Sequence, residues 1–236
     1  MGRNAVWTSI AATLTGEIGA GRYRPGDKLP TEAELARRFG VNRHTLRRAL
    51  AALAGDGLIH TRRGAGVYVA ARPTDYPIGR RVRFHQNLRA AGQTPEKKLL
   101  LTETRNADAR EAEALARPPG AAVHVYEGVS LADGAPIALF RSVFPADRFP
   151  GLLDALTETR SVTAALARGG VPDYTRASTR LTAKLASPTQ ALHLALREGA
   201  PILRAVAINV DDAGRPVEYG HTWFAGDRVT LVVTPD

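Results

Sequence analysis

The 236-residue chain contains no cysteine, which excludes disulfides, thiolate metal sites and thiol nucleophiles. It has no apolar run of about eighteen residues or more, the length a membrane-spanning helix needs, so no membrane partner is expected. Its first residues, Met1 to Trp7, lack the charged-then-apolar pattern of a signal peptide, and the cytoplasm is the expected compartment. Gly-x-Ser-x-Gly, a P-loop, His-Glu-x-x-His and a dinucleotide fingerprint are all missing. The six histidines are scattered without ligand spacing. No catalytic residue, metal or cofactor is therefore expected, and a binding pocket fits better than an active site.

What is present is unevenly placed. Hydrophobic content of 44% and charged content of 23% describe an ordinary globular chain, long enough for one large domain or two modest ones. The net charge of +9 is concentrated at the front: 12 Lys and Arg face 5 Asp and Glu in residues 1–72, 8 face 4 in 73–110, and 12 face 14 in 111–236. A basic front joined to a nearly neutral back suits a polyanion-binding module carrying a second domain. The preponderance of Arg over Lys also fits a GC-rich genome, but such a bias would not gather the excess at one end.

Within the front, Trp7, Ile10, Leu14 and Ile18 recur at helical steps and form one apolar stripe, which Gly19, Gly21 and Pro25-Gly26 stop. Thr31-Glu32-Ala33-Glu34 reads as a capping box that opens a short helix burying Leu35 and Phe39. Gly40 ends it as a C′ residue. After Val41 alone comes Asn42, a preferred N-cap, and a second helix that buries Leu46, Ala49, Leu50 and Leu53. Two helices joined by so tight a turn form a helix-turn-helix.

The second helix begins Asn42-Arg43-His44-Thr45, with Arg47-Arg48 one turn later. Recognition helices enter the major groove by their N-terminal residues, where Arg, Asn and His reach base edges. Arginine at that end opposes the helix dipole unless an anion meets it. Leu58 to Thr61, Arg62-Arg63-Gly64-Ala65-Gly66 and Val67 to Val69 then read as strand, turn and strand. That hairpin is a wing whose arginines suit phosphates or the minor groove. The expected DNA contacts are Asn42, Arg43, His44, Thr45, Arg47, Arg62, Arg63 and Gly64.

Gly26-Asp27-Lys28-Leu29-Pro30-Thr31-Glu32, the block Val41 to Arg48 and Gly64-x-Gly66 together resemble the GntR family of bacterial repressors over residues 1–70. The resemblance implies operator contact at Asn42, Arg43, His44, Arg47 and Gly64. Many members carry a DNA-touching arginine where this chain has Ala33, which leaves open whether the first helix of the motif reads a base.

Arg72-Pro73-Thr74-Asp75-Tyr76-Pro77 is proline-rich and aperiodic, the mark of a linker. The basic, aromatic stretch Arg80 to Leu88 either packs as the first helix of the next domain or extends the DNA contact. Asp75-Tyr76-Pro77 with Arg83-Phe84-x-Gln86-Asn87-Leu88 is similar to the HutC branch of GntR regulators, in particular those of phosphonate and phosphate uptake.

Beyond it, Lys98–Thr104, Ala122–Leu131 and Tyr174–Leu185 read as strands, and Asp108–Ala116, Ser161–Arg168 and Pro188–Leu196 as helices. Gly134 to Arg148 is echoed by Gly214 to Arg228, with Gly, Pro, an aliphatic residue, Ser or Thr, Phe and Asp-Arg at identical offsets. Each copy follows a strand through an acidic-glycine turn, as a hairpin should. A pseudo-symmetric antiparallel sheet with helices on one side is expected.

Ala132-Asp133-Gly134-x-Pro136-Ile137-Ala138 and Gly214-x-Pro216-Val217-Glu218-Tyr219 resemble the UTRA domain, the effector-sensing half of HutC-type regulators. The resemblance implies a chorismate-lyase-like fold used for binding. In sugar-phosphate-sensing relatives two arginines hold the phosphate; the matching positions here are Gly128 and Ser130. The expected effector residues are Ser130, Arg141, Ser161, Thr163, Arg176, Arg180, Glu218, His221 and Phe224, with Ser161 and Thr163 at a helix start able to bind phosphate oxygens.

The expected fold is thus α+β: a winged helix-turn-helix over 1–71, a linker over 72–80, and a UTRA effector and dimerisation domain over 81–236. The expected partners are an inverted-repeat operator in double-stranded DNA, a second copy of the chain and a small anion (phosphate, a phosphonate or a phosphorylated metabolite) that releases the operator. A lyase-like enzyme tethered to DNA, or a DNA binder that senses nothing, remain alternatives.

Overall fold

Trp7, Ile10, Leu14 and Ile18 lie along one side of the first helix, α1 (Asn4–Gly19), with Ile10 and Leu14 fully buried. The structure, a computed structural model, describes residues 4–62, 66–70, 73–81 and 83–233, apart from the side chains of Asn4, Ala5 and Arg62. These residues divide into two compact units, 1–72 and 73–236.

In the first unit α2 (Glu32–Phe39) opens on the expected capping box: Thr31 Oγ1 accepts from the Glu34 N–H, and Glu34 accepts from the Thr31 N–H. Gly40, at φ 64°, supplies the left-handed turn that a residue with a Cβ adopts only at a cost. The Asn42 Oδ1 then accepts from Thr45 N at 2.8 Å and caps α3 (Arg43–Gly55). Leu46, Ala49, Leu50 and Leu53 of α3 pack with Ile10, Leu14 and Leu35. The antiparallel pair β1 (Ile59–Arg62) and β2 (Gly66–Val69) is joined by residues 26–29, where Leu29 N donates to Val67 O and Val69 N to Asp27 O. Arg63 and Gly64 lie outside the described residues.

The second unit begins sooner than composition suggests. Residues expected as linker form β3 (Thr74–Pro77), which pairs in parallel with a strand near the far end, Val229–Val232. Four residues cannot announce a strand whose only partner lies some 150 positions away. Next comes α4 (Phe84–Ala90), so the basic aromatic stretch is in part a helix. Six long strands follow: β4 (Pro95–Asn106), β5 (Ala122–Ala132), β6 (Ala135–Pro145), β7 (Thr175–Leu185), β8 (Pro201–Val210) and β9 (Pro216–Ala225). They form one antiparallel sheet in the order β4-β5-β6-β9-β8-β7, and Val229–Val232 is β10.

Helices cover both faces of this sheet rather than the single face expected. On β6, Phe140 and Phe144 pack beneath α6 (Leu152–Thr159) and α7 (Val162–Arg168). The alternate residues Leu139 and Val143 face the other way, Val143 toward Leu115 beside α5 (Ala109–Ala114) and Leu139 toward Leu194 beside α8 (Pro188–His193). A strand buried on both faces loses the apolar–polar alternation from which a one-sided sheet is read.

The echo extends well past its two hairpins. Helices α5 and α8 each start with a capping box (Asp108 with Glu111, Ser187 with Gln190) and end at an alanine of positive φ, Ala116 and Ala195. Between the helices' surroundings, Ala112, Leu115, Ala116, Gly120 and Ala121 recur 79 positions later as Ala191, Leu194, Ala195, Gly199 and Ala200. In the sheet Arg141 lies directly opposite its own echo, His221. A residue opposite its own counterpart marks a twofold axis, so the axis relating the two halves passes through this pair. Reciprocal bonds confirm it: Arg148 donates to Pro216 O and Arg228 to Pro136 O.

Candidate functional site

Each unit carries one candidate site. In the first, Arg43 and His44 are exposed at the start of α3, and neither side chain has a partner among the described residues. Thr45 is half-buried, its N–H taken by the Asn42 cap. Arg47 is also exposed, but its Nε donates to Glu32 of α2 at 2.8 Å. At 68% side-chain exposure such a pair is weak, so it orients Arg47 without committing it. Arg48 is exposed and lies over the Trp7 ring, its guanidinium 4.8 Å from the ring centre. Ala33 is exposed on α2. Arg62 closes β1 by its backbone.

In the second unit a cavity of about 410 Å³ opens on the face of the sheet that carries α4 and α7. Alternate residues of the central strands floor it: Phe140 and Ser142 of β6, Glu218, Thr222 and Phe224 of β9, and Ala205, Ala207 and Asn209 of β8. Phe84 and His85 of α4, and Ser161 and Thr163 at the start of α7, contribute to the wall. Of the expected effector residues, Ser130, Ser161, Thr163, Arg176, Glu218 and Phe224 therefore meet here.

Arg141, Arg180 and His221 do not line this cavity. Cα partners in a sheet share a face, and Arg180, Val206, His221, Arg141 and Glu127 form one row of partners across it. That row alternates with the cavity floor and so points to the opposite side. There Arg141 pairs with Glu127, and His221 packs edge-on to Tyr219 and against Trp223. Burial, with the charges of Arg204 and Arg141, lowers the His221 pKa.

Two of the expected anion binders are already engaged. Ser161 Oγ accepts from Ala164 N as the α7 cap, and Thr163 Oγ1 lies 3.1 Å from the Tyr174 hydroxyl. The sharper chemistry is in a connected set on the second half of the sheet. Arg176 Nε donates to Asn209 Oδ1 at 2.9 Å, Asn209 Nδ2 donates to Glu218 Oε2 at 2.6 Å, and Ser142 Oγ donates to Glu218 Oε1 at 2.6 Å.

Lys97, Arg83, Ser142 and Asn209 also face the cavity; Arg83 and Ser142 belong to sequence motifs that assigned them to no site, and no motif singled out Lys97 or Asn209. Arg83 is neutralised: it donates to Asp173 at 2.7 Å and stacks 3.8 Å from the Tyr174 ring centre. Lys97 is 8% exposed, and its ammonium lies 4.7 Å from the Phe140 ring centre, 5.5 Å from Phe84 and 5.7 Å from Tyr126. Burial pushes its pKa down to about 8, partly opposed by the charge of Glu218. Burial and the nearby Lys97 charge also lower the His85 pKa. A signal for Lys97 did exist, because it stands 79 positions before Arg176, in step with the helix echo.

No helix among the described residues is long and apolar enough to cross a membrane, and those residues hold no cluster of His, Asp or Glu suited to a metal. The model of the UTRA domain matches residues 90–230, and that of the bacterial regulatory proteins of the gntR family matches residues 8–69. The chain is 39% identical to the uncharacterized HTH-type transcriptional regulator RB1450 of Rhizobium meliloti, over 96% of this chain and 93% of that one. It is 33% identical to the probable transcriptional regulator PhnF of Escherichia coli, over 96% and 94%. Among solved structures, that of PhnF from Mycobacterium smegmatis matches with a TM-score of 0.67 and 28% identity, covering 96% of this chain and 99% of that chain.

Proposed function

Because the chain belongs to the gntR family of bacterial regulatory proteins and carries a UTRA domain, we propose that it is a repressor whose hold on operator DNA is released by a small anion. One observation carries the DNA half of this reading. Arg43 and His44 stand exposed, without a partner among the described residues, at the N-terminus of a capped helix, the end that enters a major groove. With Asn42, Thr45 and Arg47 they form the base-reading surface, and the wing with Arg62, Arg63 and Gly64 holds phosphates. A homodimer presents two such helices to an inverted repeat about one turn apart.

The second unit supports the sensing half. Its cavity is walled by aromatic rings and holds Lys97, Arg89 and Arg176 against the single carboxylate of Glu218 among its described lining, with Arg83 already paired to Asp173, a balance that favours an anion such as phosphate, a phosphonate or a phosphorylated metabolite. Release requires that this ligand bind the DNA-incompetent state more tightly than the other. The ligand is bound and returned unchanged, without turnover.

Fluorescence anisotropy on a selected operator duplex tests the reading. Arg43→Ala costs about 1–3 kcal/mol of affinity and flattens preference at one base position. An unchanged affinity would remove α3 from the role of recognition helix.

A further inference from the structure

The cavity contains two buried charges of opposite sign, and neither has an ion-pair partner. Lys97 and Glu218 are each 8% exposed. Among the described residues the Lys97 ammonium makes no hydrogen bond or ion pair, only contacts with three ring faces. Such faces attract a cation but do not replace the hydrogen bonds it loses on leaving water. Glu218 accepts two bonds, both from neutral donors, Ser142 and Asn209. A carboxylate has about four acceptor sites, so two remain. Lys97 and Glu218 sense each other's charge yet lie beyond ion-pair distance.

The twofold echo explains why the Lys97 ammonium meets only rings among the described residues. On the second half Arg176, Asn209 and Glu218 occupy successive strands as cross-strand partners, and they hydrogen-bond in a chain. The same positions on the first half hold Lys97, Ser130 and Ala138, also successive partners. Serine is too short to reproduce the asparagine bridge, and Ala138 offers no carboxylate. The cation on the first half is thus left over. Gly128 keeps it in place: a Cβ there would lie 2.6 Å from Lys98 O and 2.8 Å from Phe140 Cζ, so a side chain at 128 would displace the ring that Lys97 rests on.

We propose that this cavity takes a small zwitterion of the aminoalkyl phosphonate or phosphate class, its anionic group on the Lys97 ammonium and its protonated amine on the Glu218 carboxylate. The inference rests on the effector reading above and narrows it. An ammonium acts as a compact point donor, suited to a rounded anionic head. The additional charge of Arg176 in the same cavity favours a doubly charged oxyanion over a carboxylate.

Calorimetry on the full-length protein with four probes tests this: 2-aminoethylphosphonate, ethylphosphonate, β-alanine and inorganic phosphate. Wild type is expected to bind 2-aminoethylphosphonate at least about tenfold more tightly than ethylphosphonate, because the amine-less analogue leaves Glu218 unpaired. Glu218→Gln removes that preference while retaining ethylphosphonate binding. Lys97→Met weakens both phosphonates about thirtyfold or more, the loss of a charge-assisted contact; Lys97→Gln serves if the methionine variant does not melt cooperatively. Equal binding of the two phosphonates, unchanged binding by the Lys97 variants, or tighter binding of β-alanine would each overturn the zwitterion assignment. If phosphate or ethylphosphonate still released the operator in those cases, the effector reading would stand. If none of the four probes bound wild type, the zwitterion assignment would fall, together with the phosphate and phosphonate arms of the effector reading.

Discussion

The two halves of the large sheet share a scaffold and differ in what they hang on it. Both have a capped helix after the edge strand, a hairpin with glycine at the turn, and an arginine reaching across the axis to a proline carbonyl. One half closes its polar residues on themselves as Arg176-Asn209-Glu218, and the other leaves Lys97 open. Identity persists where the backbone needs it, at the turns, the helix ends and the crossing arginines. Divergence gathers on the cavity floor, where unlike groups stand on the two sides. Covering segments differ as well, with α6 and α7 following β6 and only β10 following β9.

The crossing arginines offer the strongest way to break the comparison. Arg228 donates to three carbonyls, Pro136, Leu194 and Ala195, with 11% of its side chain exposed. Arg228→Ala is expected to cost about 3 kcal/mol, the scale of several charge-assisted hydrogen bonds. Arg148→Ala, read by the same urea titration, costs about 2 kcal/mol, because Asp211 keeps Arg215 as a partner. A reversed order would mean that the second half, rather than the first, depends on the crossing contact.

A smaller effect sharpens the contrast at Lys97. Its pKa of about 8 lies below the usual 10.5 of a lysine in water, so the folded state holds this proton less firmly than the unfolded chain does. Stability is therefore reduced below about pH 8, and the penalty fades as pH rises toward 10.5. Lys97→Met should raise unliganded stability by about 1–2 kcal/mol at pH 7 and by nothing near pH 10.5. Ligand affinity moves oppositely in the wild type, falling above about pH 8 as the ammonium loses its proton. His85, Glu218, Tyr76 and Tyr174 also face the cavity, and burial raises the pKa of both tyrosines, so the difference between the wild-type and Lys97→Met profiles carries the assignment.

The smallest effect concerns the paired turns. Gly134 and Gly214 adopt φ 76° and 74°, and nothing lies within 4 Å of a Cβ at either. Gly134→Ala and Gly214→Ala should each cost about 1 kcal/mol, from backbone strain alone. Thermal melts that separated the two by more than the error would show that the two-residue loop at Asp133-Gly134 and the longer loop over 211–215 bear the strain differently.

The helix-turn-helix could be read almost residue by residue, since its signals are local: Thr31 with Glu34, Gly40, then Asn42. Each acts within four positions of its partner. The hairpin echo was legible for the same reason, although the helices and edge strands that complete it have diverged too far to catch the eye. The cavity was legible only in part. Ser130, Arg176, Glu218 and Phe224 were found, whereas Arg141, Arg180 and His221 belong to the alternate row. One residue of register decides the face of a strand, and a sheet covered on both sides gives no polarity pattern to set it.

From its sequence alone the chain determined its helix-turn-helix, the caps and glycines that end those helices, the basic recognition turn and the doubling of one hairpin. All follow from interactions spanning a few residues. Tertiary structure alone decided that β3 joins β10, that Arg141 meets His221 on an axis, and that Lys97 and Glu218 share a cavity. Those meetings depend on strand register and on burial among segments 80 or more residues apart, where a side chain's neighbours, and so its charge and its use, are set by packing.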